Sequence, residues 1–146
     1  MKVIALRGPA NSGKSETLNI VYQLLLLFGY NQVPGHYREL GDPVNKDCTD
    51  ILERKGVRIG IAMMGDYEDH KEDCIEGDTI QELLTYLQNN GCKKALCACN
   101  SGLSKALAFI KKEEYEAEIV EKQKIKIASE MRISNEEEAE VIFKLI

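Results

Sequence analysis

The chain has 146 residues, of which 44% are hydrophobic and 29% charged, so we expect one domain over residues 1–146 with its own buried core. Its formal net charge of -5 argues against sequence-independent nucleic-acid binding, which requires a basic surface. A local site for one small anion remains compatible with this charge, because neighbouring groups can oppose the overall field.

Signals for export and membrane insertion are not seen in the sequence. The longest apolar stretch, residues 24–28, is too short to span a bilayer, and no secretory pattern is recognised near the N-terminus. The five cysteines are an odd number, which is typical of reduced thiols. We therefore expect a cytoplasmic protein with no membrane and no nucleic-acid partner. Cys92, Cys97 and Cys99 lack a second pair or a histidine cluster, so no zinc site is expected.

The first third of the chain predicts a strand, a helix and a long loop. Residues 2–7 are a short apolar run that leads into a glycine-rich turn, as buried parallel strands do. A helix is predicted from Gly13 to Phe28, with Gly29 as its C-terminal cap. Residues 30–50 are rich in glycine, proline and polar groups and predict a loop with only short elements.

The middle of the chain predicts a hairpin followed by a helix. Residues 49–54 and 57–64 are strand-like and are joined by Lys55-Gly56, a tight-turn pair. After an acidic loop over 67–77, Asp78 and Gln81 predict a capping box that opens a helix ending at Gly91.

The last third predicts a strand at 95–99 and a helix from about Ser104. Residues 111–124 are interpreted as a solvated helical face in which Glu118 pairs with Lys122. Residues 124–128 alternate like a strand. Finally, Ser134 and Glu137 predict a second capping box for the C-terminal helix.

Alternating strands and helices favour an α/β fold. The expected architecture is a three-layer sandwich in which a mainly parallel sheet of about five strands is flanked by helices.

The segment GPANSGKS at residues 8–15 matches G-x-x-x-x-G-K-[ST] at every position. Glycines at these positions let successive backbone N–H groups approach phosphate oxygens, and the following helix start adds unpaired donors and a partial positive charge. A glycine-rich turn that matches by chance is the alternative. The strand before it and the helix after it favour phosphate binding.

Each residue of this loop has an expected role. Lys14 brings a full positive charge to the β- and γ-phosphates, and the Ser15 hydroxyl is placed for Mg²⁺. The predicted ligands of ATP, or of another nucleoside triphosphate, are Gly8, Pro9, Ala10, Asn11, Ser12, Gly13, Lys14, Ser15 and Glu16.

The stretch Lys2–Leu18 resembles the Walker A segment of P-loop NTPases. The resemblance implies a sheet sandwiched by helices, with nucleotide at the carboxyl ends of the strands. The whole chain is also similar to small ATP-binding, kinase-like P-loop proteins that carry an "IGIA…GD" segment, here Ile59–Ala62 with Gly65-Asp66.

The resemblance implies a second acidic residue, at the end of an apolar strand, that orients a magnesium-bound water. Asp66 is the first choice as metal ligand and catalytic residue, although it lies beyond Gly65 rather than directly after the strand. A simple Gly-Asp turn is the alternative reading. Asp42 and Asp47 in the long loop are rival candidates.

Further candidates lie in loops. Asn100 ends a predicted strand and is positioned to contact a γ-phosphate or water, or is only a loop amide. Arg38 is a candidate catalytic residue that neutralises the transferring phosphate or holds an acceptor, or is a solvated arginine. His36 and Tyr37 beside it are candidates for an acceptor pocket.

Three functions compete at this stage. The first is a kinase-like phosphotransferase with an unidentified small-molecule acceptor; the absence of arginine from 103–123 counts against an ordinary nucleoside monophosphate kinase. The second is a switch or accessory ATPase that obtains an arginine from a protein partner. The third is a nucleotide-binding module without turnover. The near-match to N-K-x-D at 45–48 ends in Cys48, so ATP is preferred to GTP.

Overall fold

The computed structural model describes residues 1–42, 44, 46–70 and 74–146, and this part of the chain forms an α/β fold. Asn45, the first residue of the near-match to N-K-x-D, and part of the predicted acidic loop lie outside the described residues. The described strands are β1 Lys2–Gly8, β2 Asn31–Gln32, β3 Arg38–Glu39, β4 Cys48–Arg54, β5 Val57–Ala62, β6 Lys94–Asn100 and β7 Glu116–Glu121. The described helices are α1 Lys14–Leu27, α2 Ile80–Asn89, α3 Ser104–Ile110 and α4 Ala128–Leu145.

The seven described strands form one mixed sheet in the order β2-β4-β5-β6-β1-β7, with β3 also paired to β4. β5, β6, β1 and β7 are parallel, whereas β4 is antiparallel to β5 and β2 and β3 are antiparallel to β4. The α/β class is therefore confirmed, but the sheet is not the mainly parallel one of about five strands that we predicted. The predicted hairpin is real, and short segments of the 30–50 loop extend the sheet beyond it.

The helices cover both faces of the sheet because neighbouring residues of each strand point to opposite sides. Ile4 and Leu6 of β1 pack in a core with α1 and α4. Val3 and Ala5 pack in a second core with α2 and α3. No helix in the described part of the chain is long and apolar enough to cross a membrane.

The carboxyl edge of the sheet contains a crevice between β1 and β6. These strands are neighbours, and their last residues, Gly8 and Asn100, are paired in the ladder. The chain leaves β1 toward α1 on one face and leaves β6 toward α3 on the other. Open α/β sheets bind ligands at such a switch point, outside the carboxyl ends of the strands.

The start of α2 differs from its prediction by one residue. Thr79, not Asp78, is the N-cap, and its capping box is closed by Glu82 rather than Gln81. Asp78 Oδ1 instead forms an ion pair with Arg38 Nη1 at a distance of 2.5 Å. The predicted capping box was wrong because the Asp78 carboxylate pairs with Arg38 and does not cap the helix.

The predicted solvated helical face over 111–124 is wrong, because residues 116–121 form the edge strand β7 beside β1. Cross-strand ion pairs accompany this pairing: Lys2 with Glu118 at 3.1 Å and Arg7 with Glu121 at 3.0 Å. The predicted Glu118–Lys122 pair is absent, since Lys122 is buried and paired with Glu138. Pairing with a distant strand overrides local helix preference here.

The last helix begins earlier than predicted. α4 starts at Ala128 after the N-cap Ile127, so residues 124–128 are not a strand. Ser134 lies inside the helix, where its hydroxyl bonds Glu138 at 3.3 Å instead of forming a capping box with Glu137. The buried positions of α4 are Asn135, Ala139 and Ile142, which follow helical spacing. Asn135 extends this packed face toward the N-terminal end of the helix.

Candidate functional site

A polar cavity of about 260 Å³ opens at the crevice between β1 and β6. It contains the loop that the sequence singled out, together with residues just before β4, just after β5 and in β6. Its lining residues are Ala10, Asn11, Ser12, Gly13, Lys14, Ser15, Glu16, Val44, Asp47, Met63, Gly65, Asp66, Ala98 and Asn100.

The backbone N–H groups of the seven residues from Ala10 to Glu16 donate no hydrogen bond to any described residue. A helix start by itself leaves only four such groups. Ser12, Gly13 and Lys14 are buried, and buried N–H groups are nearly always paired. Among the described helices, α2 is the one whose start is closed by a capping box, formed by Thr79 and Glu82, whereas α3 and α4 also lack a side-chain cap. α1 has no side-chain cap, so its donors remain free for an anion.

The loop holds its shape through positive φ angles and a close approach. Asn11 has φ 56° and Gly13 has φ 87°, a left-handed geometry that turns successive N–H groups to a common side. A β-carbon on Gly13 would come within 2.4 Å of Asn135 Oδ1, so α4 packs directly against this glycine. A side chain at Gly8 would meet the Lys122 carbonyl at 2.6 Å.

Lys14 lies under the loop with only 7% of its surface exposed. Its Nζ donates to the carbonyls of Gly8 at 3.1 Å and Pro9 at 2.7 Å. Since an ammonium group has three donors, one remains for a ligand. Burial lowers the pKa of Lys14, while the nearby Asp66 carboxylate opposes this effect. The buried Ser12 hydroxyl also has no partner among the described residues.

Asp47 comes to the cavity from the residue just before β4. Because β4 is antiparallel to β5, its first residues lie at the carboxyl edge of β5, opposite Ala62. Burial raises the pKa of Asp47, and the Ser15 hydroxyl, which faces the carboxylate, works against that shift. Asp47 Oδ1 is buried and has no partner in the described part of the chain. One of the two rival acidic residues thus lies in the cavity.

Asp66 enters the cavity because the chain after β5 continues alongside β6. Asn100 N donates to the Gly65 carbonyl at 2.9 Å, and a β-carbon on Gly65 would come within 2.4 Å of the Ala98 backbone. This close approach explains why a glycine precedes the aspartate. The Asn100 side chain then donates to Asp66 Oδ1 at 2.8 Å, while Asn100 Oδ1 is left without a described partner.

These oxygens fit a magnesium ion that also contacts phosphate. Ser15, Asp47 and Asp66 are hard oxygen donors in one cavity, and Mg²⁺ is commonly held by one or two carboxylates together with substrate phosphates. The unpartnered Oδ1 of buried Asp47 is the observation that supports the fit. Among the residues that the structure describes, no three His, Cys, Asp or Glu side chains form a metal cluster, so phosphate would have to complete the coordination.

The other predicted residues lie elsewhere. Arg38 is paired with Asp78 and, with His36 and Tyr37, lines a separate cavity of about 390 Å³ against α2. Asp42 is exposed and accepts a 2.9 Å bond from the Val44 N–H, away from the cavity lining. The role of Arg38 stays a prediction.

The structure adds one residue that sequence reasoning missed. Asn135 contacts Gly13 of the loop 8–15 only because α4 docks beside α1. No local pattern marks it, since the residue is a single amide within a polar helix.

Comparisons of the chain with protein-family models, with curated proteins and with solved structures found no match. The function is therefore inferred from the cavity itself.

Proposed function

We propose that this chain is a P-loop-type protein that binds a nucleoside triphosphate with Mg²⁺, most consistently ATP, and cleaves its terminal phosphate bond. The run of unpartnered N–H groups from Ala10 to Glu16 carries this proposal, because a polyphosphate supplies acceptors for many donors at once. The match of the segment 8–15 to the phosphate-loop pattern supports it independently.

Each group in the cavity has a task in this proposal. The N–H groups and the free donor of Lys14 bind phosphate oxygens and offset their negative charge. Ser15 and Asp47 would hold Mg²⁺, with Asp66 nearby as a direct or water-mediated ligand. When bound, this ion would neutralise charge that develops on the phosphates.

The Asp66–Asn100 pair supports a role in positioning the attacking group. Asn100 fixes one carboxylate oxygen of Asp66 and leaves the other free to orient a water or an acceptor hydroxyl. Phosphoryl transfer requires positioning and charge stabilisation more than covalent catalysis, so a small set of groups is sufficient.

Transfer to an acceptor is favoured over hydrolysis by the cavity near Arg38. Thr49 lines this cavity, is 2% exposed, and has a side-chain hydroxyl without a partner in the described chain. Thr49 is only two residues from Asp47, about 7 Å along an extended strand. A small acceptor bound there would lie near the phosphate site, and Arg38 would line its pocket.

Hydrolysis with help from a partner protein is the second candidate. No arginine is among the residues that line the phosphate cavity in the described structure. An arginine supplied by a partner raises phosphoryl-transfer rates by roughly 10³–10⁵ in known cases. Under this alternative the isolated chain turns over slowly and a partner accelerates it.

Calorimetric titration of Mg·ATP into wild type and Lys14→Ala tests the binding proposal. Wild type should bind and Lys14→Ala should lose most of the affinity, because the charge under the loop is removed. Lys111→Ala, which removes an exposed lysine after α3, is the matched control and should bind like wild type. Retained tight binding in Lys14→Ala would refute the site.

The reaction is then assayed as ADP formation, alone and with panels of nucleosides, nucleotides and small metabolites. Acceptor-dependent ADP supports transfer, and slow acceptor-independent ADP supports the switch. Binding without any ADP would leave a non-catalytic module and refute cleavage.

A further inference from the structure

A further cavity of about 600 Å³, distinct from the one near Arg38, adjoins the phosphate cavity. The two adjoining cavities share Asn11, Gly13 and Glu16. It runs between α1 and the beginning of α4. A triphosphate bound by the loop must direct its nucleoside to one side, and this cleft is the neighbouring space that the described residues enclose. The remaining lining residues are Asn19, Ile20, Lys126, Ala128, Met131, Arg132 and Asn135.

Asn135 is the buried polar group of the cleft. It is 7% exposed, and its Oδ1 has no hydrogen-bond partner in the described part of the chain. Leaving a buried acceptor unpaired is unfavourable, so such atoms in native proteins call for an explanation. Oδ1 faces Gly13 and is closed to solvent, so a ligand hydroxyl or amino group would supply the missing bond once the amide turns toward the cleft.

Two cations of the cleft also lack partners. Neither Arg132 nor Lys126 makes a hydrogen bond or ion pair through its side chain with any described residue. Both are exposed, in a chain whose formal net charge is -5 and whose acidic residues are plentiful. A guanidinium group is planar and stacks well on an aromatic ring, and Ile20 and Met131 add apolar surface beside it.

We propose that this cleft binds the nucleoside half of the nucleotide. The base stacks on Arg132, and a ribose hydroxyl or an amino group of the base donates to Asn135 Oδ1. Because α4 also packs against Gly13, the same helix contacts the phosphate loop and binds the nucleoside. This inference depends on the proposed binding of a nucleoside triphosphate.

The test compares Mg·ATP with Mg·tripolyphosphate, which carries the phosphates without a nucleoside, by calorimetric titration. Wild type should bind ATP at least about fivefold more tightly, the lower end of what stacking of one base contributes. Arg132→Ala should lose most of this advantage and bind tripolyphosphate as wild type does. Arg132→Lys should behave like Arg132→Ala, because it keeps the charge and loses the planar group.

The matched control is Arg54→Ala, which removes an exposed arginine at the opposite end of β4 and should leave both affinities unchanged. Asn135→Ala is the second variant; it should weaken ATP binding more than tripolyphosphate binding, and the thermal midpoint reports whether it is folded.

Two results would overturn the inference while leaving the phosphate site intact: equal wild-type affinity for both ligands, or an equal loss for both ligands in Arg132→Ala. Binding of neither ligand would refute the proposed function, and this inference with it.

Discussion

The side-chain amide of Asn100 donates a 2.8 Å hydrogen bond to Asp66 Oδ1, which joins the end of β6 to the segment after β5. Replacing Asn100 with Asp puts a second carboxylate at this distance. We expect Asn100→Asp to lower stability at neutral pH by roughly 0.2–1 kcal/mol, the scale of an exposed charge pair. The deficit should shrink at acidic pH, where the two carboxylates can share a proton.

Denaturant unfolding of Asn100→Asp at several pH values measures this effect, and Asn100→Ala is the control that removes the bond without adding charge. A deficit of the same size at every pH would show that repulsion with Asp66 is not its cause.

Asp47 should limit the stability of the metal-free protein. Burial raises its pKa above the ordinary value of 3.8, so the folded chain holds this proton more tightly than the unfolded chain does. The charged form therefore lowers stability at neutral pH, and this cost fades as the pH falls toward 3.8. Asp47→Asn should raise the thermal midpoint at neutral pH, with a gain that vanishes in acid.

The same variant should lose the additional midpoint increase that Mg²⁺ gives in the presence of nucleotide, because a metal ligand is removed. Asp42→Asn is the control, since Asp42 is exposed and lies outside the cavity. A lower midpoint for metal-free Asp47→Asn at neutral pH would contradict this assignment.

Gly13 should tolerate substitution far less than other glycines with the same backbone geometry. Gly13 and Gly91 have φ angles of 87° and 79°, but only Gly13 has a neighbour within 4 Å of an added β-carbon. Gly91→Ala should cost about 1–2 kcal/mol from left-handed geometry alone. Gly13→Ala adds a clash with Asn135, so its cost should be at least about twice as large.

Unfolding free energies of the two single variants, and of Gly13→Ala combined with Asn135→Ala, check this prediction. The double variant should recover part of the loss by removing the clash. If the double variant is no more stable than Gly13→Ala, a clash with Asn135 is not the cause of the loss.

The ion pair between buried Lys122 and part-buried Glu138 should hold α4 beside the loop 8–15. Lys122 is 2% exposed and its backbone N–H bonds the Arg7 carbonyl at the end of β1. Glu138→Leu alone leaves the buried ammonium group of Lys122 without its partner and should lower the free energy of unfolding by about 3 kcal/mol. The double change Lys122→Met with Glu138→Leu should lower it much less. A double-mutant cycle by denaturant unfolding measures the coupling; additive losses would exclude an energetic pair.

The sequence predicts the strand, the turn and the helix start around residues 8–15 because their determinants are local. A strand, two glycines at fixed spacing and a helix start lie within about twenty consecutive residues, and each acts on its neighbours. The hairpin is local in the same sense, since Lys55 and Gly56 both take positive φ. The register of this hairpin also indicates where Asp47 lies. Arg54 pairs with Val57, and counting outward along both strands places residue 47 opposite Met64, just after β5.

The remaining features depend on contacts between distant segments. β7 exists because its backbone pairs with β1, more than 110 positions earlier, and its own composition favours a helix. Asn135 belongs to the site only because α4 docks against α1. Such pairings are decided by tertiary packing, which a single sequence does not display.

Amide NMR spectra of labelled protein titrated with Mg·ATP test the central claim most directly, because they observe the proposed donors themselves. We expect the N–H resonances of Ala10 to Glu16 to shift the most, and we expect Lys14→Ala to abolish these shifts at matched ligand concentration. If ATP saturates the protein while these resonances stay unchanged, or shifts only a distant surface, the phosphate cradle assigned to this loop is contradicted.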